Sequence, residues 1–168
     1  MQLRNADCGM RSFIPQAAVA LAACMAVLLP SLIGAAEPPA FKVETYRGHV
    51  VFLNDALAKR FGITTVPEAA DRSLALQTAD GTLVPIVEDV RGRAFRVDER
   101  LRKPEVEILV RKYQGLPAVQ VIRLFEVAKE GKLELDYWCD ICAIPMVELK
   151  PCECCQGETI LRRRKVEE

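Results

Sequence analysis

Residues 74–89 read LALQTADGTLVPIVED. Two β-rich runs flank Asp80-Gly81, a pair that supplies positive φ at low steric cost, so the stretch predicts a β-hairpin with a tight turn. Pro85 has no N–H to give to a ladder, which puts its strand at a sheet edge or at a bulge. A lone hairpin is marginal in water, and the flanking sequence supplies neighbours on both sides.

Upstream lies FKVETYRGHVVFL, residues 41–53. Phe41, Val43 and Thr45 alternate before Gly48, and a denser apolar run follows, which predicts one long strand bulged or bent near Gly48. Asn54 is placed to cap a short helix, DALAKRF, that Gly62 ends. Downstream, Phe95 and Leu101 in RGRAFRVDERLRK (residues 91–103) can anchor one face of a short helix that Pro104 stops. Val106, Ile108 and Val110 then alternate strictly, a turn falls near Gly115, and a second strand runs through Val127. LELDYW, residues 133–138, is a last strand.

Strand, hairpin, helix, second hairpin is the element order of an OB-fold, a small Greek-key barrel of five strands. The expectation is a mainly β protein: an OB-like domain over 37–136 with one short helix, and 54–72 as an insertion after the first strand. An unrelated small α+β sheet is the alternative.

The last strand leads directly into CDICAIPMVELKPCECCQG, where five of the seven cysteines fall. Cys139 and Cys142 form one C-x2-C pair and Cys152 and Cys155 another; Cys154 is left out because Gln156-Gly157 after Cys155 gives the second turn a small residue, and the alternative puts Cys154 in place of Cys152 or Cys155. Two residues between thiolates let the backbone turn so that both sulfurs reach one ion, and two such turns face to face make a tetrahedral four-sulfur site. The expected ligands are Cys139, Cys142, Cys152 and Cys155, and the expected ion is one zinc; a thiolate site of this shape takes iron as well, and zinc is preferred because it is redox-inert. The module covers 137–161, with ETILRRR as a return strand and 162–168 as a charged tail. Disulfides are the competing reading, but five is odd and a bridge inside C-x2-C constrains little of the unfolded chain. A thiol redox centre is a third. The sequence argues against attached haem, since Ala143 and Gln156 stand where its attachment motif needs His.

With its C-D-x-C…C-x-C-C-Q-G pattern, the tail DYWCDICAIPMVELKPCECCQG resembles the C-terminus of a group of uncharacterised exported bacterial proteins that carry a small β-rich domain before a similar ending. The resemblance implies that the cysteines act as a unit. It implies no activity.

At the other end, Arg4 and Arg11 precede the apolar run AAVALAACMAVLL (residues 17–29), and small residues lead to Glu37. This is the order of a signal peptide over 1–36 with cleavage after Ala36, and it predicts an exported protein, periplasmic or secreted. An uncleaved anchor, or a lipidated Cys24 in LAAC, would be the only membrane attachment. Cys8 and Cys24 would leave with the signal.

Charge and the remaining polar residues exclude several function classes. Lys and Arg number 23, as do Asp and Glu, so the net charge is zero and argues against a nucleic-acid partner. His49 is the only histidine, which leaves no relay or histidine-based metal site. Glu88-Asp89 and Asp98-Glu99 neighbour arginines and read as solvated ion pairs. The cluster Arg91, Arg93, Arg96, Arg100, Arg102 and Lys103, with Phe95, offers an anion-binding face only if the interleaved acids leave it free. Arg162–Lys165 reads as a solvated end. No nucleophile elbow or phosphate loop occurs. The function expected is a non-enzymatic binding or interaction module for a ligand or protein partner. The alternative is an exported thiol protein that handles metal or electrons, with Cys154 as the reactive thiol. A third reading, a nucleic-acid-binding barrel retained in the cell, is weaker.

Overall fold

The computed structural model describes residues 39–166. The signal segment expected over 1–36, with Cys8 and Cys24, lies outside the described residues. Among the described residues no helix is long and apolar enough to cross a membrane.

The chain is mainly β. β1 (Phe41–Phe52) leads into α1 (Leu53–Phe61), and the hairpin β2 (Leu74–Thr78) and β3 (Leu83–Pro85) follows. Next come α2 (Val90–Val97), a 3-10 turn at Glu99–Leu101, and a meander of β4 (Val106–Tyr113), β5 (Gln120–Ala128) and β6 (Gly131–Cys139). β7 (Ile144–Met146) and β8 (Ile160–Lys165) complete the chain. All pairings between strands are antiparallel, in the order β3-β2-β1-β4-β5-β6-β7 with β8 also on β6. One parallel bridge, Ile86 to Val119, joins the exit of β3 to the entry of β5. There Val119 N–H donates to the Pro85 carbonyl and Val87 N–H to the Val119 carbonyl, each at 2.9 Å.

The sheet therefore holds eight strands rather than five. β6 folds back on β5 through Gly131, at φ 117°, and its far half then pairs with β7 and β8. The cysteine tail adds strands to the body's own sheet because no break separates them. The boundary expected between 136 and 137 falls inside β6.

Local signals explain most elements. The Asp80-Gly81 turn forms with Gly81 at φ 85°, and Asp80 accepts from the Thr82 N–H at 3.1 Å. Pro85 sits in β3, which pairs only with β2. Asn54 does not cap α1: the helix starts one residue earlier, and the Asn54 amide is drawn to the Ala69 carbonyl of the following loop. Gly62 ends that helix in the left-handed region, as its position predicts. Asp89 caps α2 by accepting from the N–H groups of Arg91 (3.1 Å) and Gly92 (2.9 Å).

Gly48 is where β1 changes partner. It pairs with Val106 of β4 and with Thr78 of β2. A Cβ there would lie 2.1 Å from the Gln77 carbonyl oxygen, so only glycine lets the two backbones approach this closely. Inside, Val106, Ile108, Val110, Val119, Leu76, Phe95 and Leu101 are fully buried with Tyr137 of β6.

Asp98, expected at the surface, is 4% exposed. It holds the 3-10 turn by accepting from the Arg100 N–H (3.0 Å), it pairs with the Arg100 guanidinium, and it accepts from the Tyr137 hydroxyl at 2.7 Å. Burial alone would raise its pKa, but the Arg100 and Tyr137 hydrogen bonds overcome this and hold it at about 2. Because the folded pKa lies below the ordinary 3.8, the carboxylate contributes stability above that value. The contribution, about 2 kcal/mol, is lost as pH falls through about 2.

Two outcomes are expected. Gly48→Ala forces the β1–β2 crossing apart and lowers stability by about 3 kcal/mol in denaturant melts, with loss of the hairpin's amide protection. Tyr137→Phe removes one donor from Asp98, costs about 1–2 kcal/mol at neutral pH, and moves the acid-unfolding midpoint upward. A pH titration of far-UV ellipticity measures the second effect.

Candidate metal centre

β6 delivers Cys139 as its last residue. Asp140 and Ile141 turn outward, Cys142 returns, and Ala143 closes the turn by donating its N–H to the Cys139 carbonyl at 2.8 Å. The second turn has the same construction. Glu153 and Cys154 face out, Cys155 returns, and the Gln156 N–H donates to the Cys152 carbonyl at 2.9 Å. Ala143 at φ 54° and Gln156 at φ 60° are, among the described residues, the non-glycine positions with positive φ. Both turns thus bend the chain the same way immediately after the second cysteine.

These turns bring Cys139, Cys142, Cys152 and Cys155 together, with all four sulfurs within 4.8 Å of one another. The Cys139 and Cys155 Sγ atoms are 3.5 Å apart. A tetrahedral ion with metal–sulfur bonds near 2.3 Å has sulfur–sulfur edges of about 3.8 Å, so the donor set fits a thiolate-bound ion with a small contraction. All five cysteines of the tail are free thiols. Cys154 is exposed and outside the group, because it occupies the place in the second turn that Ile141 occupies in the first. His49 is exposed on β1 opposite Gln77 and takes no part.

The site's electrostatics favour a cation. The N–H groups of Cys155 and Cys154 point at the Cys152 sulfur and bring that thiol down to about 7. Cys142 is pushed up, first by the Cys154 thiol and then by Cys155 and burial. Cys152 is thus drawn toward the thiolate while Cys142 is held as the thiol. A bound divalent ion would remove that difference by deprotonating its ligands.

Packing fixes the site on the body of the protein. Cys139 and Cys152 are fully buried members of the hydrophobic core that also contains Tyr137 and Met146. Glu148, 5% exposed, accepts from Arg93 of α2 (3.0 Å) and pairs with Lys150 (3.1 Å). The Cys152 N–H donates to the Gly157 carbonyl at 2.8 Å and the Thr159 hydroxyl to the Lys150 carbonyl at 2.8 Å, which closes the second turn onto β8.

Reading the sequence missed Glu148 and Asp98, whose burial has no local signature, and missed Ala143 and Gln156. The last two carried a signal: they follow the second cysteine of each pair at the same offset. The basic cluster is not free. Arg93 meets Glu148, Arg96 meets Glu88, Arg100 meets Asp98, Lys103 meets Glu99, and Arg102 lies over the Phe52 ring at 4.7 Å. Arg162, Arg163 and Arg164, expected at a solvated end, pair with Asp136, Glu126 and Glu134 from β8.

No family model, curated protein or solved structure matches this chain.

The left-handed positions give a graded test. The Ala143 side chain is exposed, so substitutions there act through the backbone. Ala143→Gly is tolerated, its relief of strain offset by unfolded-state entropy, whereas Ala143→Val, a β-branched residue at φ 54°, costs at least about 2 kcal/mol. Thermal melts and competition with a metal chelator should both place the valine variant below glycine and alanine, which stay close together.

Proposed function

We propose that this protein is an exported, non-enzymatic binding or interaction module: an OB-like barrel that carries a zinc-ribbon-like unit. The observation that carries the reading is the convergence of two identically built turns on four thiols, two of which lie in the core of the β-body. Such a site serves structure, since buried sulfurs held by backbone on two sides are poorly placed to meet a substrate.

Three further features support the parts of the proposal. The parallel Ile86–Val119 bridge brings the exit of β3 beside the entry of β5, and α2 lies between β3 and β4 in the chain; both features support an OB-like reading. β7, β6 and β8 make a three-stranded unit with the two cysteine turns at one end, as in a zinc ribbon. The order of residues 1–36 supports export, and the tail motif supports grouping the chain with the exported proteins it resembles. Zinc is the ion of choice because a structural site gains nothing from redox chemistry.

The exposure of Cys154 beside the four thiols favours a second reading, an exported thiol protein that handles metal or electrons.

Elemental analysis and thiol alkylation of the purified, fully reduced protein distinguish the two. The expected result is about one zinc per chain, with Cys154 alone alkylated in the folded state. Cys139→Ser or Cys152→Ser should release the metal, and Cys154→Ser should retain it. Retention of metal in Cys139→Ser together with loss in Cys154→Ser would overturn the ligand assignment. Loss of thiol exchange or metal transfer in Cys154→Ser, with metal content unchanged, would establish the second reading. Absence of metal from every reduced preparation would remove the ribbon.

A further inference from the structure

β1 is twelve residues long, but β2 covers only its second half, from Gly48 to Phe52. From Phe41 to Arg47 the strand pairs with β4 on one edge, and among the described residues no strand lies on the other. Two backbone hydrogen bonds fix which groups point where. The Ala40 carbonyl accepts from Gln114, on the β4 side, and the Leu53 N–H donates to Ser73, on the β2 side. Strand groups alternate between edges, so even-numbered residues serve β4 and odd-numbered residues face the other way. Phe41, Val43, Thr45 and Arg47 therefore direct their N–H and C=O groups to the open edge, and all four are exposed. Phe41 and Val43 are large apolar residues at 48% and 56% exposure. The stretch contains no proline, and its pairing with β4 has no bulge. It lacks two of the usual devices that stop an edge from accepting another strand.

The charges on this half-strand point to a second copy of the same chain. Two β1 edges can pair antiparallel about a two-fold axis only if odd residues face odd ones, which puts the axis at residue 43, 44 or 45. An axis at Thr45 brings Phe41 opposite His49, where β2 already lies. An axis at Glu44 sets Glu44 against Glu44. An axis at Val43 sets Lys42 opposite Glu44 twice, Phe41 opposite Thr45, and Val43 opposite itself. Only the last pairing satisfies backbone, space and charge together. We propose that two copies of this chain associate edge to edge through Phe41–Thr45, antiparallel about Val43, with two symmetric Lys42–Glu44 pairs fixing the register.

The interface is isologous and extends the β1–β4 sheet across both copies. It leaves the cysteine module untouched, so its failure would not bear on the metal-site proposal.

Sedimentation equilibrium of the purified protein over a concentration series provides the test, with elemental analysis run in parallel to show that the fold and metal content persist. A concentration-dependent mass of twice one chain is expected. Lys42→Glu and Glu44→Lys each turn two attractive pairs into two repulsive ones and should weaken association about tenfold, and the double exchange should restore it. Val43→Pro removes a central donor from the open edge while sparing the even-numbered residues that serve β4, and should abolish the dimer with the monomer still folded. A monomer at every concentration overturns the proposal. So does a dimer indifferent to the charge exchange and to Val43→Pro, which would place the contact elsewhere, and so does association only with an unrelated strand-forming peptide.

Discussion

β6 must serve several neighbours along one short run of backbone. One of its edges is shared by β5, over Gly131–Glu134, and by β7, over Tyr137–Cys139; the other carries β8 from Leu133 to Trp138. Its buried residues Leu135, Tyr137 and Cys139 follow the period of two, so the first thiol of the metal centre lies in phase with the core of the β-body. A slip of one residue would turn Cys139 and Tyr137 to the opposite face together. The Asp136–Arg162 pair, with contacts of 2.9 and 2.6 Å, and the Glu134–Arg164 pair oppose such a slip from the other face. The Trp138 ring reinforces this, with Arg162 stacked 3.8 Å above it.

Two buried carboxylates give the region around α2 a hold on the tail. Asp98 reaches the Tyr137 hydroxyl, and Glu148 is held by Arg93. Both are acids withdrawn from water and kept ionised by arginine and hydrogen-bond donors, a state that is costly to break on one side only. The exposed ion pairs contribute little stability each. Their effect lies in geometry: the six cationic residues of the 91–103 stretch are drawn mostly to acids or rings of the same chain, so the net charge of zero is also close to a local balance.

Much of this was legible in the residues. Alternation located Val106, Ile108 and Val110, the Asp80-Gly81 pair located its turn, and Pro85 announced an edge. The C-x2-C spacing pointed to Cys139, Cys142, Cys152 and Cys155, whose sulfurs lie together, but left Cys154 as a rival for the second pair. What a period of two cannot reveal is which strand lies next door. It marked LELDYW as a strand without disclosing that β6 serves both the body and the tail, and so the count stopped short of eight. Asp98 and Glu148 look like any acids beside basic residues until Tyr137 and Arg93 arrive from elsewhere in the chain. Asn54 has the right residue type for a cap, but it lies inside the helix, one residue past its start, and its amide donates to the Ala69 carbonyl.

The long-range pairings also impose an order in time on a chain made from its N-terminus. β1 finds its main partner only when Tyr113 and the rest of β4 have emerged, since Phe41 pairs with Tyr113 and Gly48 with Val106. Until then only the Gly48–Phe52 end of the strand can find a partner, in β2, and Phe41–Arg47 waits with both edges bare, a state in which holdase protection has value. The four thiols come later still. The second turn is closed onto β8, whose pairing with β6 runs from Ile160 to Lys165. The four thiols therefore converge only once that last strand has docked, and the cysteine centre reports the pairing of β8 with β6.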